Sequence, residues 1–411
     1  MPDRASACRH FMIACALALA SSFALAEGFS LRPGLFGTLG VNWHANDDLS
    51  YRRSAAQYGG ARGGTLDASV DSLLGVQLNA RFTDALDAVG QVVARQQPNG
   101  GWHPQTTLAF VRVEPAPGLQ LRFGRLGLDS VPGADSRLVG YALPTIRPVP
   151  EVFAALSVDF IDGADITYRF DRGDNLFQLK AYTGEHDSRT YIDGAPFDLY
   201  DIRSTGVTAS WFRDGWEARV GAGTGKFLDN GDSQLLVDLL ASLPLPSSVA
   251  AARALDSTGA RSHFHHLELH YDEGPWDLLA GYVRLINPRR TPHLPRQRMF
   301  HAQAAYRMGR FTPYLTWARI RTEAARLDTG LAGSPPFALL DSFAQAWLQA
   351  AQFNQRTLSA GVRFDLRPGI ALKAQVDRIV AGRSVILLDE RNFDSTARRT
   401  TLFSLALDFA F

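Results

Sequence analysis

Residues able to do chemistry concentrate in two parts of this 411-residue chain. In the first, His263, His265, His266 and His270 crowd together, and His266, Glu268 and His270 occupy alternate positions. Two imidazoles and a carboxylate form a donor set that suits zinc. In an extended chain, however, alternate side chains stand about 6–7 Å apart and do not converge on one ion. The run therefore reads as the polar lining of a strand, and neither metal nor cofactor is expected. The second concentration is a succession of arginines, Arg81, Arg95, Arg112, Arg122 and Arg125, interleaved with Gln77, Gln91 and Gln120 and followed by Asp129, Asp135 and Glu151. Arginines facing carboxylates across a narrow aqueous gap create a transverse field that orients polar solutes and penalises apolar ones. Hydrolysis would instead need a nucleophile, a base and an orienting group. No G-x-S-x-G nucleophile motif is present, and no catalysis is expected.

The elements that carry these residues show a period of two. Leu74, Val76, Leu78, Ala80 and Phe82 alternate with Gly75, Gln77, Asn79 and Arg81, and Phe403, Leu405, Leu407, Phe409 and Phe411 alternate with Ser404, Ala406, Asp408 and Ala410. One face is apolar and the other polar or small, the mark of a strand. Sixteen such segments are expected, at 35–43, 73–82, 87–96, 106–114, 119–125, 160–170, 175–183, 204–212, 216–225, 263–272, 275–285, 299–308, 311–320, 356–365, 369–379 and 401–411. Most have the ~9–11 residues with which a tilted strand crosses a bilayer. Connections alternate strictly in length. Those after even-numbered segments, among them Pro115-Ala116-Pro117-Gly118, Asp171-Arg172-Gly173-Asp174, Arg213-Asp214-Gly215, Glu273-Gly274, Gly309-Arg310 and Arg367-Pro368-Gly369, are tight turns, whereas those after odd-numbered segments are long. A sandwich of sheets has no reason to segregate its loops in this way; a transmembrane barrel does. Phe82, Phe170, Trp211, Trp216, Tyr271, Trp276, Tyr306, Phe364 and Phe409 gather at the short-turn end, as an interfacial aromatic girdle would.

Beyond the first 26 residues, no stretch has the ~18 apolar residues of a spanning helix. Residues 1–26 read as a cleavable secretory signal: Arg4 and Arg9, then an apolar run from Phe11 to Leu19, then Ala24-Leu25-Ala26 as the cleavage motif. The remaining 27–411 is expected to be one barrel domain. Cys8 and Cys15 both fall in the leader, which excludes disulfides, cysteine zinc sites and a thiol nucleophile from the mature chain. Forty-two basic residues less Arg4 and Arg9, and forty-one acidic less Asp3, leave 40 of each. A neutral chain has no bulk field for nucleic acid.

Leu121-Arg122-Phe123-Gly124-Arg125 resembles the fifth strand of the porins of Gram-negative outer membranes, where a Gly-Arg pair precedes the third long loop. A final Phe, here Phe411, also resembles that family's assembly signal. The resemblance implies an antiparallel up-and-down barrel of sixteen strands, with short periplasmic turns and long outer loops. It also implies a third loop, here 126–159, that folds into the lumen and narrows it. Arg112, Arg122, Arg125, Arg95 and Arg81 would then line a constriction opposite Asp129, Asp135 and Glu151. The loop departs from cation-preferring members in being proline-rich and in lacking a dense acidic run.

Two outer loops, 233–252 and 336–353, have apolar residues at helical spacing. The basic loop Asn287 to Arg298 could meet lipopolysaccharide phosphates. Taken together, the expectation is an outer-membrane channel for passive diffusion of small hydrophilic solutes or ions. Its partners would be the lipid bilayer and lipopolysaccharide, and its assembly a homotrimer, the last by resemblance alone. A substrate-selective channel is the alternative, and a barrel enzyme or adhesin the third reading.

Overall fold

The computed structural model describes residues 29–128, 136–154, 160–192, 195–333, 335–350, 352–389 and 398–411. The leader, Asp129 and Asp135 lie outside them. In chain order the strands are β1 (Ser30–Trp43), β2 (Leu49–Tyr51), β3 (Ala61–Arg62), β4 (Leu73–Thr83), β5 (Leu86–Gln96), β6 (Trp102–Ala116), β7 (Leu119–Gly127), β8 (Phe160–Arg172), β9 (Asn175–Ile192) and β10 (Ala195–Arg213). They continue as β11 (Trp216–Phe227), β12 (Arg261–Glu273), β13 (Trp276–Ile286), β14 (Gln297–Tyr306), β15 (Phe311–Thr322), β16 (Gln355–Arg367), β17 (Ile370–Ala381), β18 (Leu387–Asp389) and β19 (Arg398–Ala410). Sixteen of them close into one antiparallel barrel, each beside its neighbour in sequence, with β19 sealing against β1 from Phe36↔Ala410 to Trp43↔Phe403. Every expected segment overlaps one of these sixteen.

Burial is inverted relative to a water-soluble sheet. On β19 the apolar Phe403 and Leu405 are exposed, whereas Ser404 and Asp408 are buried. On β4, Leu74, Val76 and Leu78 are exposed and Leu73 is buried. The outward face is thus aliphatic and aromatic, as hydrocarbon requires, and closure leaves no strand edge with unpaired backbone groups. The tight turns show why glycine recurs in them. At Asp214-Gly215 both residues take positive φ, 45° and 75°, which matches a type I′ hairpin. At this end the aromatic pairs Trp216–Tyr271 and Trp276–Tyr306 have ring centroids 4.7 Å apart.

Two features differ from the sequence expectation. The hairpin β9–β10 extends through the expected loop at 184–203, because pairing continues from Glu185↔Arg203 to Ile192↔Ala195. The helical segment 233–252 is two helices, α2 (Gln234–Ser242) and α3 (Pro246–Leu255). Pro244 and Pro246 push the residues before them out of the helical region, and Leu243 and Leu245 are extended, with ψ of 138° and 120°. Helices α2 and α3 pack with α4 (Ala338–Ala350) around Val237, Leu240, Leu255 and Ala344.

An apolar layer lies inside the wall. Inward residues Val283, Met299, Ile320, Ile379 and Leu402 pack against Leu49, Tyr51, Val152, Phe353 and Leu387 from the loops. Strands β2, β3 and β18 form a small sheet within it.

Candidate functional site

A dense polar constellation joins segment 136–154 to the inward face of the barrel. Arg147 donates through Nε and Nη2 to Asp71 at 2.9 and 2.5 Å, and through Nη1 to Asp377 on β17 at 2.7 Å. Its Nη2 also donates to Asn42 on β1 and Ser404 on β19, at 2.8 and 2.7 Å. The side chains of Arg147, Asp71 and Asp377 are 1 %, 1 % and 4 % exposed. A guanidinium presents five donors in a planar fork, and two carboxylates with two further acceptors satisfy it in a space closed to water. Burial alone would raise the Asp71 carboxyl, but the adjacent Arg147 outweighs burial and holds it below the ordinary value.

Neighbouring contacts extend the attachment. Lys373 donates to the carbonyls of Gly140 and Thr145 at 2.8 and 2.9 Å and pairs with Asp408 at 2.8 Å. Thr38 donates to Asp408 at 2.5 Å. Arg363 donates to the carbonyls of Tyr141 and Leu143 and lies over the Tyr141 ring, 4.6 Å from its centroid. Position 140 needs glycine for space: a Cβ there would lie 2.3 Å from Asp408 Oδ1 and 2.4 Å from Thr38 Oγ1. In α1 (Pro150–Phe153) proline sits in the first turn, where its missing N–H costs no hydrogen bond. Glu151 of α1 accepts from Gln355 at 2.8 Å and from Thr357, both on β16. Burial pushes the Glu151 carboxyl above the ordinary value, against those hydrogen bonds.

The arginines singled out in the sequence have partners along the wall. Arg112 pairs with Asp87 at 2.7 Å, β6 to β5. Arg122 is buried inward on β7, paired with Asp165 on β8 at 2.5 Å, and Lys180 on β9 reaches the same carboxylate at 3.2 Å. Arg95 shares the inward face of β5 with Gln91 and Val93. Arg81 pairs with Asp84 at the turn end, 2.7 Å away. Arg125 shares the outward face of Phe123; it pairs with Asp162 at 2.6 Å and stacks on Phe160. Glu151 bonds to β16, on the far side of the barrel order from β6 and β7. Asp87, Asp162 and Asp165 were missed in the sequence. The strand pairings Arg122↔Asp165 and Arg125↔Asp162 would have signalled two of them.

The histidine run faces two ways. His266 and Glu268 are buried inward on β12, where Glu268 approaches His301 of β14 at 3.9 Å, and His270 meets Asp277 at 3.1 Å. His263 and His265 alternate to the outward face. Among the described residues, no group of three or more His, Cys, Asp or Glu side chains has a geometry that could hold a metal ion.

No protein-family model matches the chain, and no curated protein sequence matches it. Solved structures do. A loop-deleted form of OmpT, an outer membrane protein of Vibrio cholerae, aligns with a TM-score of 0.55 at 11% identity, over 94% of this chain and 100% of that one. The outer membrane channel DcaP of Acinetobacter baumannii aligns at 0.53 and 11% identity, over 93% and 98%. An anion-selective porin from Comamonas acidovorans aligns at 0.52 and 12% identity, over 93% and 100%. With its sixteen strands closed in sequence order, the chain has the fold of the general outer-membrane porins.

Proposed function

We propose that this protein is a water-filled channel of a bacterial outer membrane through which small hydrophilic solutes and ions diffuse passively. In this reading residues 126–159 fold into the lumen and narrow it. The observation that carries it is the buried Arg147, which ties segment 136–154 to Asp377 and Ser404. A segment held by a charged, fully bonded network keeps a constant aperture. Residues 1–26 would direct export, and three copies would assemble. Lipopolysaccharide would contact the outer rim.

Arg112, Arg122 and Lys180 sit on the wall away from that attachment, paired with carboxylates of adjacent strands. Charges in a narrow, low-dielectric passage control ion preference far more than charges on outer loops. The test is single-channel recording in planar bilayers. Arg112→Gln/Arg122→Gln should shift the reversal potential toward cations and raise conductance. Arg289→Gln/Arg290→Gln, in the outer loop, should do little where the screening length is about 8 Å. A larger shift from the outer pair would place the constriction elsewhere.

A substrate-selective channel is the second reading, favoured by the helical cluster α2–α4 and by the apolar layer inside the wall. Solute-specific block of conductance would support it. Catalysis forms no part of either reading.

A further inference from the structure

A cavity of about 540 Å³ lies among the outer loops, between segment 325–328, the last turns of α4 and Arg383 of the final loop. That volume falls among those of small-molecule sites, about 300–1,000 Å³. Its walls are fixed by hydrogen bonds. Helix α4 turns Ala344 and Trp347 toward α2 and α3, and Gln345 and Gln349, four positions apart, share the adjoining face that lines the cavity. Gln345 donates to the Leu327 carbonyl at 3.0 Å. Thr329 donates to Asp341 of α4, and its carbonyl accepts from Ser248 of α3 at 2.8 Å. Asp328 Oδ1 accepts from the Gly330 N–H at 2.9 Å, in a turn where Gly330 has φ of 67°. Only glycine fits there, since a Cβ would lie 1.8 Å from Ser247 Oγ. On the other side, the Asn354 N–H donates to the Arg383 carbonyl at 2.8 Å, which holds the final loop to the exit of α4.

Two opposite charges line this cavity without meeting. Arg326 and Asp328 are two positions apart and both exposed. Among the described residues, no ion pair joins Arg326 to Asp328 or to any other carboxylate. Elsewhere in the chain such short spacings do pair: Arg363 with Asp365 at 2.9 Å, Arg189 with Asp187 at 3.6 Å, and Arg213 with Asp214 at 3.0 Å. Here the Gly330 turn holds the Asp328 carboxylate to its own backbone. Gln349 and Gln352 add carboxamides to the lining, each both donor and acceptor. An inorganic anion in this cavity would meet Asp328 as a like charge. A neutral sugar would leave both charges without a counter-charge. A zwitterion satisfies both.

We propose that this cavity binds short peptides as zwitterions, with the carboxylate on Arg326, the ammonium on Asp328 and the peptide amide against Gln349 and Gln352. A guanidinium fork matches a carboxylate bidentately, and a carboxamide meets a peptide group with one donor and one acceptor. An extended dipeptide spans about 7 Å, which suits a cavity of this volume. As the capture step of a selective channel the site rests on the second reading above; as a binding site it does not.

The test uses the full-length folded protein in neutral detergent, titrated calorimetrically with dialanine. Parallel titrations use dialanine amide, which lacks the carboxylate, and N-acetyl-dialanine, which lacks the ammonium. The parent should bind dialanine saturably and each blocked peptide about tenfold more weakly, the equivalent of about 1.4 kcal/mol for one charge-assisted contact. Arg326→Gln should weaken dialanine about tenfold and leave dialanine amide unchanged. Asp328→Asn keeps the oxygen that accepts from Gly330, and so keeps the turn. It should weaken dialanine and dialanine amide about tenfold and leave N-acetyl-dialanine unchanged. No saturable binding of dialanine, or equal binding of all three peptides by the parent, would overturn the proposal. So would a variant that weakens all three equally, because the cavity's shape and not a charge contact would then carry the binding. Conductance recorded on the same preparations separates this site from the channel reading. A silent protein that still binds dialanine removes the channel and keeps the site, whereas a conducting protein with no saturable binding removes the site alone.

Discussion

Replacing Arg147 with methionine keeps most of the side-chain volume and removes the charge from between two buried carboxylates. Ion pairs at 2.5 and 2.7 Å are lost together, while Asp71 and Asp377 stay 1 % and 4 % exposed. Removing one partner of a buried pair costs about 3–5 kcal/mol, because the remaining charge is stranded. With two carboxylates stranded, the loss should sit at the upper end. Equilibrium unfolding in urea from lipid vesicles, followed by tryptophan fluorescence, measures it. The pH dependence gives a second, sharper reading. In the parent, Asp71 is held below its ordinary value, so its contribution is complete above the unfolded carboxylate pKa and is lost as pH falls through the folded one. Without Arg147, only Arg53 and the Asn42 hydrogen bond oppose burial at Asp71, and its carboxyl rises. The folded form then binds a proton more readily than the unfolded form, and acidification from neutral pH stabilises the variant. Asp71→Asn/Arg147→Met/Asp377→Asn, which removes the charge at all three positions, should recover most of the loss. A cost below about 1 kcal/mol, or a variant that loses stability on acidification as the parent does, would refute the role given to this network.

Three further outcomes are expected. Leu78→Arg places a charge on the outward face, where Leu78 is 42% exposed, and should cost about 2–4 kcal/mol near the midplane in the same unfolding assay. Deleting Phe411 removes the paired backbone bonds with Leu35, at 2.8 and 3.0 Å, and should lower the yield of heat-modifiable folded barrel while leaving the conductance of the folded fraction unchanged. His293 is buried beside Ser257, 2.7 Å away, and burial lowers its imidazole to about 4. Its stabilisation of the outer loops is complete above the ordinary histidine value and is lost as pH falls toward 4, so amide protection factors across 227–260, corrected for the intrinsic exchange rate, should fall on acidification in the parent and less in His293→Gln.

The barrel was legible because hydrocarbon outside and water inside impose a period of two on every strand, and Leu78, Arg122 and Asp408 all fall on the faces that parity assigns them. Tight turns were legible because pairs such as Asp214-Gly215 satisfy positive φ cheaply. The attachment of segment 136–154 was not. Arg147 lies 76 positions from Asp71 and 230 from Asp377, and no local pattern links residues at such separations. Arg122 could be placed inward, but its partner Asp165 is on a strand reached only after a long loop. Strands β2, β3 and β18, of three, two and three residues, are too short to carry any periodic signal.

The small sheet inside the wall has a kinetic consequence. Arg52 donates its backbone N–H to Ile386 and its Nε to Val385, 333 positions away, and Leu387 pairs with Tyr51. These bonds join the first loop to the last, so they form only after β19 has met β1. Contacts of such high order reward folding late. A newly closed cylinder is therefore wet throughout before Tyr51, Phe353 and Leu387 pack. Conductance followed during insertion should start high in each barrel and step down once, to the open level of the finished channel, as this inner layer packs.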